Sequence, residues 1–247
     1  MAAWRPPDPS GKEDAGGGPC RGRRLAGAHA PKWDAGADGV DFSNMDEHIK
    51  QMSKPSNRDR LLQEGLKVVH ERGYMGASVR DIVQAAGVPQ GSFTNHFASK
   101  EAFALEVLDL YYAGSVEIVG RSLKNRDLPP LERLRAYIRE NKDRIRREGV
   151  QNGCLYGNFS AEAVDRSEPI RERIADIFKE AQKAVEACLT EAAAGGAAPR
   201  GLDAEKTAAF FVSSLQGAIL LAKARRDLTP IDQFEAVLFS SVLHSAS

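Results

Sequence analysis

Two clusters of residues in this chain have side chains suited to chemistry, and the chemistries differ. The first is SVRDIVQAAGVPQGSFTNHFASKE at 78–101, where Gln90, Gly91, Ser92, Thr94, Asn95 and His96 gather short polar groups between the apolar anchors Val88, Phe93 and Phe97. Ser, Thr, Asn and Gln reach phosphate oxygens and base edges in a major groove, and Gly91 leaves room for close backbone approach. His96 adds a charge that depends on pH. Ser78 and Arg80 open the segment, and Lys100 near its end falls in the first turn of a helix, where a cation opposes the dipole unless a phosphate lies nearby. The second cluster is GCLYGNFSAE at 153–162, which brings a soft nucleophile (Cys154), a phenol (Tyr156), an amide (Asn158) and a ring (Phe159) to a helix start. The positive end of a helix dipole favours a thiolate, and Arg146 and Arg147, close in sequence, would add to it.

The elements that must position these groups are legible around them. Asn57 to Arg72 carries Leu61, Leu62, Leu66, Val68 and Val69 on one face, predicting a bracing helix that ends at Gly73. Ser78 with Asp81 three residues on is a capping-box start for a short helix bearing Val79, Ile82, Val83 and Ala86, and Gly87 supplies the left-handed stop. Pro89 sits where a first-turn proline is tolerated, so a second helix is expected to start almost at once. Ser99 caps a long connector through Tyr111 and Tyr112 to about Leu123. Helix, glycine turn, helix and cap together are the pattern of a helix-turn-helix.

On these residues the chain resembles the TetR family of transcriptional regulators: Arg58 to Glu64 leading to Gly73, the SVRDIVQAAGV segment, then GSF, His96-Phe97 and SKEAF. Residues 55–112 carry the resemblance, and the remainder matches by architecture. Members commonly have Lys where this chain has Gln90, and Tyr where it has Thr94 and His96, so the usual phosphate contacts do not transfer unaltered. GCLYGNFSAE, followed by an acidic-serine loop and SEPIRERI, resembles the NemR- and AcuR-like branch. That branch implies regulation of genes that deal with electrophiles, reactive aldehydes or related unsaturated compounds, with the matching cysteine a sensing thiol in some members.

Composition sets the frame. Lys+Arg and Asp+Glu both number 34, so net charge does not advertise nucleic acid, but residues 54–100 hold seven Lys and Arg against four Asp and Glu. A locally basic head on a neutral body suits phosphate contact and argues against a nonspecific architectural DNA-binding protein. Three cysteines, an odd number without metal-ligand spacing, argue against a disulfide framework and a zinc site, so reduced thiols and no metal or cofactor are expected. A thiol-dependent enzyme using Cys154 is the alternative, weakened by the absence of HExxH, P-loop and GxSxG motifs. The longest apolar run, 208–222, is broken by Ser213, Ser214 and Gln216, so neither a membrane span nor a secretory signal is expected, and a cytoplasmic location follows.

The remaining chain reads as helices over 131–147, 155–164, 169–194, 203–226 and 230–244, with no strand, so the fold is all-α. Residues 1–52 are Gly/Ala/Pro-rich and expected to be disordered, 53–100 form the DNA-binding head, and 101–247 form a ligand-binding and dimerisation body. An apolar cavity between the connector and the helices at 131–190 would be walled by Tyr111, Tyr137, Tyr156, Phe159 and Phe178, unless these are ordinary core aromatics, with Lys223 a charge partner. Phe210, Phe211, Ser214, Leu215, Gly217 and Ala218 on one helix, with Phe234 and Leu238 on the next, offer more apolar surface than a thin body can bury. A homodimer on a palindromic double-stranded operator, released by a small-molecule inducer, is the resulting expectation.

Overall fold

The computed structural model describes residues 55–244, and within them every regular element is helical. The expected disorder over 1–52, with Cys20 and the basic residues Arg21, Arg23 and Arg24, lies outside the described residues.

Helix α1 runs Asn57–Gly76 and opens on a capping box: the Ser56 hydroxyl accepts from the Asp59 N–H, and the Asp59 carboxylate accepts from the Ser56 N–H. Its final turn is interrupted at Gly73, where φ 77° and ψ 165° are left to a residue without a side chain. The expected stop at Gly73 is therefore a break inside the helix, and a last turn follows it. Helix α2, Val79–Ala86, has the predicted Ser78–Asp81 box and ends at Gly87 with φ 59°, its carbonyl accepting from the Arg60 guanidinium at 3.1 Å. Helix α3 is a single turn, Ser92–His96. It does not begin at Pro89 as the sequence suggested: residues 88–91 form a turn in which Ser92 N–H donates to the Pro89 carbonyl at 2.9 Å.

Helix α4, Lys100–Arg121, is capped by Ser99 and links the head to the body. The body comprises α5 (Pro130–Glu148), α6 (Leu155–Glu162), α7 (Glu168–Ala194), α8 (Ala204–Arg225) and α9 (Thr229–Val237), the last running into a π-helical turn at Leu238–Val242 instead of continuing as one helix to 244. Among the described helices α8 is long and apolar enough to cross a membrane, yet Phe211, Val212, Leu215 and Ile219 on it are buried against the protein.

Two apolar cores organise these helices. One joins Leu61, Ile82, Phe93 and Phe97 of the head to Phe103 of α4 and to Leu155, Phe159, Ile170 and Ile174 of the body, so the packing is continuous across residue 100. The other gathers Leu134, Ile138, Val185, Leu189, Phe211 and Ile231. Burying one such side chain stabilises the fold by about 1.5–3 kcal/mol. Cys154 and Phe178 pack against both cores and mark the seam between them.

Candidate functional site

On the head, Phe93 and Phe97 are held inward against Phe103, with ring centroids 5.3 and 5.0 Å from it, which turns the other side of α3 outward. Gln90, Gly91, Thr94, Asn95 and His96 are all exposed there, as is Arg80 on α2. Nothing lies within 4 Å of the position a Gly91 Cβ would take, so the backbone is open to close approach. Three sequence expectations change. Ser92 is buried and its hydroxyl accepts from the Asn57 amide at 3.5 Å. The Ser78 hydroxyl is engaged in its capping box with Asp81. Lys100 turns inward, donating to the Tyr74 carbonyl and lying 4.6 Å from the centre of the Tyr74 ring. Burial lowers its pKa, and its ammonium is engaged by Tyr74 and not turned out toward a phosphate.

Other described cations of the head are also engaged: Arg58 with Glu106, Arg72 with Asp81, Lys67 with Glu64, and Arg60 with the Gly87 carbonyl. Arg80 makes no hydrogen bond or ion pair among the described residues. Its charge is wholly available to a phosphate.

In the body a cavity of about 170 Å³ opens between α4, α5, α7 and α8 at the seam of the two cores. Tyr111, Tyr137, Cys154, Tyr156 and Phe178 line it as expected, while three other candidates do not. Phe159 is fully buried beside Tyr74 in the head-side core. Asn158 and Lys223 serve the loop before α6: Lys223 Nζ donates to Asn158 Oδ1 at 2.7 Å, and Asn158 donates to the Asn152 carbonyl at 2.9 Å. Lys223 is thus spent on loop architecture, because Gly153 brings the backbone against its alkyl stem. Helix α8, expected to bring only Lys223 to the cavity, supplies Val212, Leu215, Gln216 and Ile219 to the wall.

The polar end of the cavity is built around a residue the sequence reading passed over. Arg144 is buried with its guanidinium 3.4 Å from the centre of the Tyr111 ring. Its Nε donates to Glu148 at 2.9 Å, one Nη to Ser115 Oγ at 2.9 Å, and the other to the Tyr111 carbonyl at 3.1 Å. Ser115 in turn shares a 2.8 Å hydrogen bond with the Tyr156 hydroxyl. A signal existed: Tyr137, Asn141, Arg144, Ile145 and Glu148 fall on one helical stripe, so Arg144 and Glu148 are charges on an inward face.

Cys154 occupies the N-cap of α6, but its surroundings work against the activated thiol inferred from the helix dipole. Burial pushes the thiol pKa up, and the N–H groups of Gly157 and Tyr156, then Arg144 and Gln216, only partly oppose this. Arg146, expected to help, points to Asp143 at the surface. The phenols are held protonated as well: burial raises Tyr137 to about 12 and Tyr156 further. They face the cavity as neutral hydrogen-bonding groups.

On the outside of α8 and α9, Phe210, Ser214, Gly217, Ala218, Leu221, Phe234 and Val237 line a shallow apolar groove, with Leu238 at its base. Phe210, Leu221 and Val237 are 46, 51 and 56 % exposed, which is unusual for side chains of this size. Phe211 and Leu215, counted with them from the sequence, point the other way and are buried, as is Leu238. Adjacent residues on a helix lie 100° apart, and composition alone does not say which of Phe210 and Phe211 faces inward.

Comparison with known proteins matches residues 61–107 to the model for bacterial regulatory proteins of the tetR family. Residues 130–238 match the tetracyclin repressor-like C-terminal domain. A repressor from Mycobacterium sp. strain GP1, DhaR, is 38% identical over 78% of this chain and 96% of its own.

The chain belongs to the TetR family.

The transcriptional regulator AcuR of Cereibacter sphaeroides is 30% identical over 70% of this chain and 80% of its own. The crystal structure of reduced Escherichia coli NemR superposes with a TM-score of 0.70 at 25% identity, covering 77% of this chain and 98% of that one. This TetR-family chain is accordingly a DNA-binding transcriptional regulator of all-α fold, with an N-terminal helix-turn-helix and a C-terminal helical domain. Family membership removes the thiol-dependent enzyme, since the family regulates transcription and does not catalyse.

Proposed function

We propose that this TetR-family protein is a cytoplasmic repressor, in which residues 53–100 are the DNA-binding head and 101–247 the ligand-binding and dimerisation body. As a homodimer it grips a palindromic operator through Arg80, Gln90, Gly91, Thr94, Asn95 and His96, and a small molecule in the body cavity releases it. The observation that carries this reading is the position of the cavity: it lies at the seam of the two cores, and one of those cores includes the head. A ligand that displaces Phe178 or Tyr111 therefore disturbs packing shared with α1 to α3, which is the differential contact a coupling between two sites requires. Both heads must enter successive major grooves together, so a few Å of change in their spacing is enough for release.

The inducer has an apolar body with a polar end that meets Tyr137, Gln216 and the Cys154 thiol. An electrophile is a fitting member of that class, because Cys154 lines the cavity and would be alkylated after the compound has bound there. The names of DhaR and NemR as repressors, and the resemblance of 153–162 to the NemR- and AcuR-like branch, support this reading. The test is binding of the purified protein to DNA upstream of its own gene, with and without N-ethylmaleimide, in the wild type and in Cys154→Ser. Sequence-specific binding lost on alkylation only in the wild type is expected. Binding indifferent to alkylation would leave a noncovalent inducer, and the absence of sequence-specific binding would overturn the repressor reading.

A further inference from the structure

His70 is a buried histidine on α1, the first helix of the head, and the groups its ring meets, Gly153, Glu148 and Tyr111, belong to the body or the connector. Its Nε2 lies 3.0 Å from the Gly153 carbonyl. A carbonyl only accepts, so Nε2 carries the proton and the neutral ring presents a bare lone pair at Nδ1. Facing Nδ1 at 3.8 Å is Glu148 Oε2, too far for a hydrogen bond. That oxygen is buried and has no hydrogen-bond partner among the described residues, whereas Oε1 of the same carboxylate is held by Arg144. Two acceptors thus face each other across a gap that lacks one proton.

We propose that His70, Glu148 and the Gly153 carbonyl form a proton-linked joint that couples the body cavity to the DNA-binding head. This rests on the reading of the head as operator-binding and of the cavity as the effector site. A proton taken from solvent at Nδ1 makes His70 a double donor, to Gly153 and to Glu148 Oε2, and so ties α1 to the C-terminal end of α5. The joint touches the cavity on two sides: Glu148 orients Arg144, which holds Ser115 and Tyr111, and Gly153 directly precedes Cys154. His70 also packs edge-on to Tyr111, with centroids 5.6 Å apart. The charged and titratable groups facing the ring are Glu148 and Arg144 from α5, Lys223 from α8 and Tyr111 from α4. Glu148 favours the added proton, and Arg144 and Lys223 oppose it. Anything that moves Arg144 or the 149–154 loop alters the proton affinity of the joint, and by reciprocity protonation alters what the head and the cavity bind. His70 acts through its neighbours, as a positioning residue.

The test compares the wild type with His70→Gln, which keeps a donor for Gly153 but does not titrate, and with Glu148→Gln. Histidine side-chain NMR follows the His70 ring through a pH titration, and fluorescence anisotropy gives affinity for the upstream DNA at pH 5.5 and 7.5. The rest of the head is identical in all three proteins, so pH effects that arise elsewhere cancel. Glu148→Gln should lower the pH at which His70 takes its proton. The affinity ratio between the two pH values should differ by about fivefold or more between the wild type and both variants. The same ratio in all three proteins, or a His70 titration unmoved by Glu148→Gln, overturns the joint. Failure of the wild type to bind this DNA at either pH counts against the operator reading, and the NMR titration still decides the proton site. Should His70→Gln not fold, Glu148→Gln and the NMR data carry the same decision.

Discussion

His70 makes a stability prediction that is separate from any effect on DNA. Burial lowers its pKa in the folded chain, with Gly153 and Glu148 opposing, so the native state binds fewer protons than the unfolded one. Its contribution to stability is complete above the unfolded value of about 6.5 and is lost as pH falls below that toward the native value. Chemical denaturation between pH 5 and 8 should show stability declining on the acid side in the wild type, with a shallower decline in His70→Gln; equal slopes would place the acid sensitivity elsewhere. At Cys154 the raised thiol predicts slow alkylation at neutral pH that accelerates as pH is raised, because the thiolate is the nucleophile. Mass spectrometry after timed N-ethylmaleimide treatment at pH 7 and 9 checks this, and a rate independent of pH would mean an activated thiol. Cys188, which donates to the Pro130 carbonyl and is pushed up to about 11 by burial, should react more slowly still.

At the scale of elements, the two glycines that bracket the turn of the helix-turn-helix make opposite predictions. Gly87 has φ 59°, and a Cβ there would meet Arg60 at 2.9 Å, so Gly87→Ala should destabilise the protein by roughly 1–2 kcal/mol. Gly91 has φ −71° and open space around its Cα, so Gly91→Ala should leave stability within about 0.5 kcal/mol of wild type. If the backbone approaches DNA there, the same substitution should nevertheless weaken operator binding. Melting temperature and anisotropy measured on both variants separate the two roles, and a Gly91→Ala protein that melts early would show that residue 91 is structural. The helices themselves were legible because caps and stops are local: Ser78 with Asp81, Ser99, Pro130 and Asp203 begin helices within a residue of where the sequence placed them. Helix α3 was misplaced since a proline tolerated in a first turn is tolerated equally in the turn before it.

For the whole molecule, α8 separates two kinds of apolar residue that look alike in sequence. Leu221→Glu, at the exposed groove, should leave the fold intact and, if the groove is the dimer interface, give a monomer by sedimentation with greatly weakened operator binding. Phe211→Ala, inside the core, should cost about 3–5 kcal/mol of stability. A Leu221→Glu protein that remains dimeric would move the interface off this groove. The engaged cations of the head also imply that operator affinity depends on few unpaired charges, Arg80 foremost, so Arg80→Ala should reduce the slope of log affinity against log salt by about one.

The helix-turn-helix, its caps and the all-α architecture could be read from the linear chain, because capping, turn glycines and helical periodicity act over three or four residues, and the family could be read from the resemblance of residues 55–112. What the linear chain could not decide was which member of a polar or apolar cluster faces which way. Ser92 and Lys100 turned inward, Phe159 left the cavity for the core, Lys223 went to the 149–154 loop, and Glu148 and His70 met across body and head. Those outcomes depend on contacts between residues dozens of positions apart, such as His70 and Gly153, where burial and the need to satisfy each polar atom are settled only once the helices have packed.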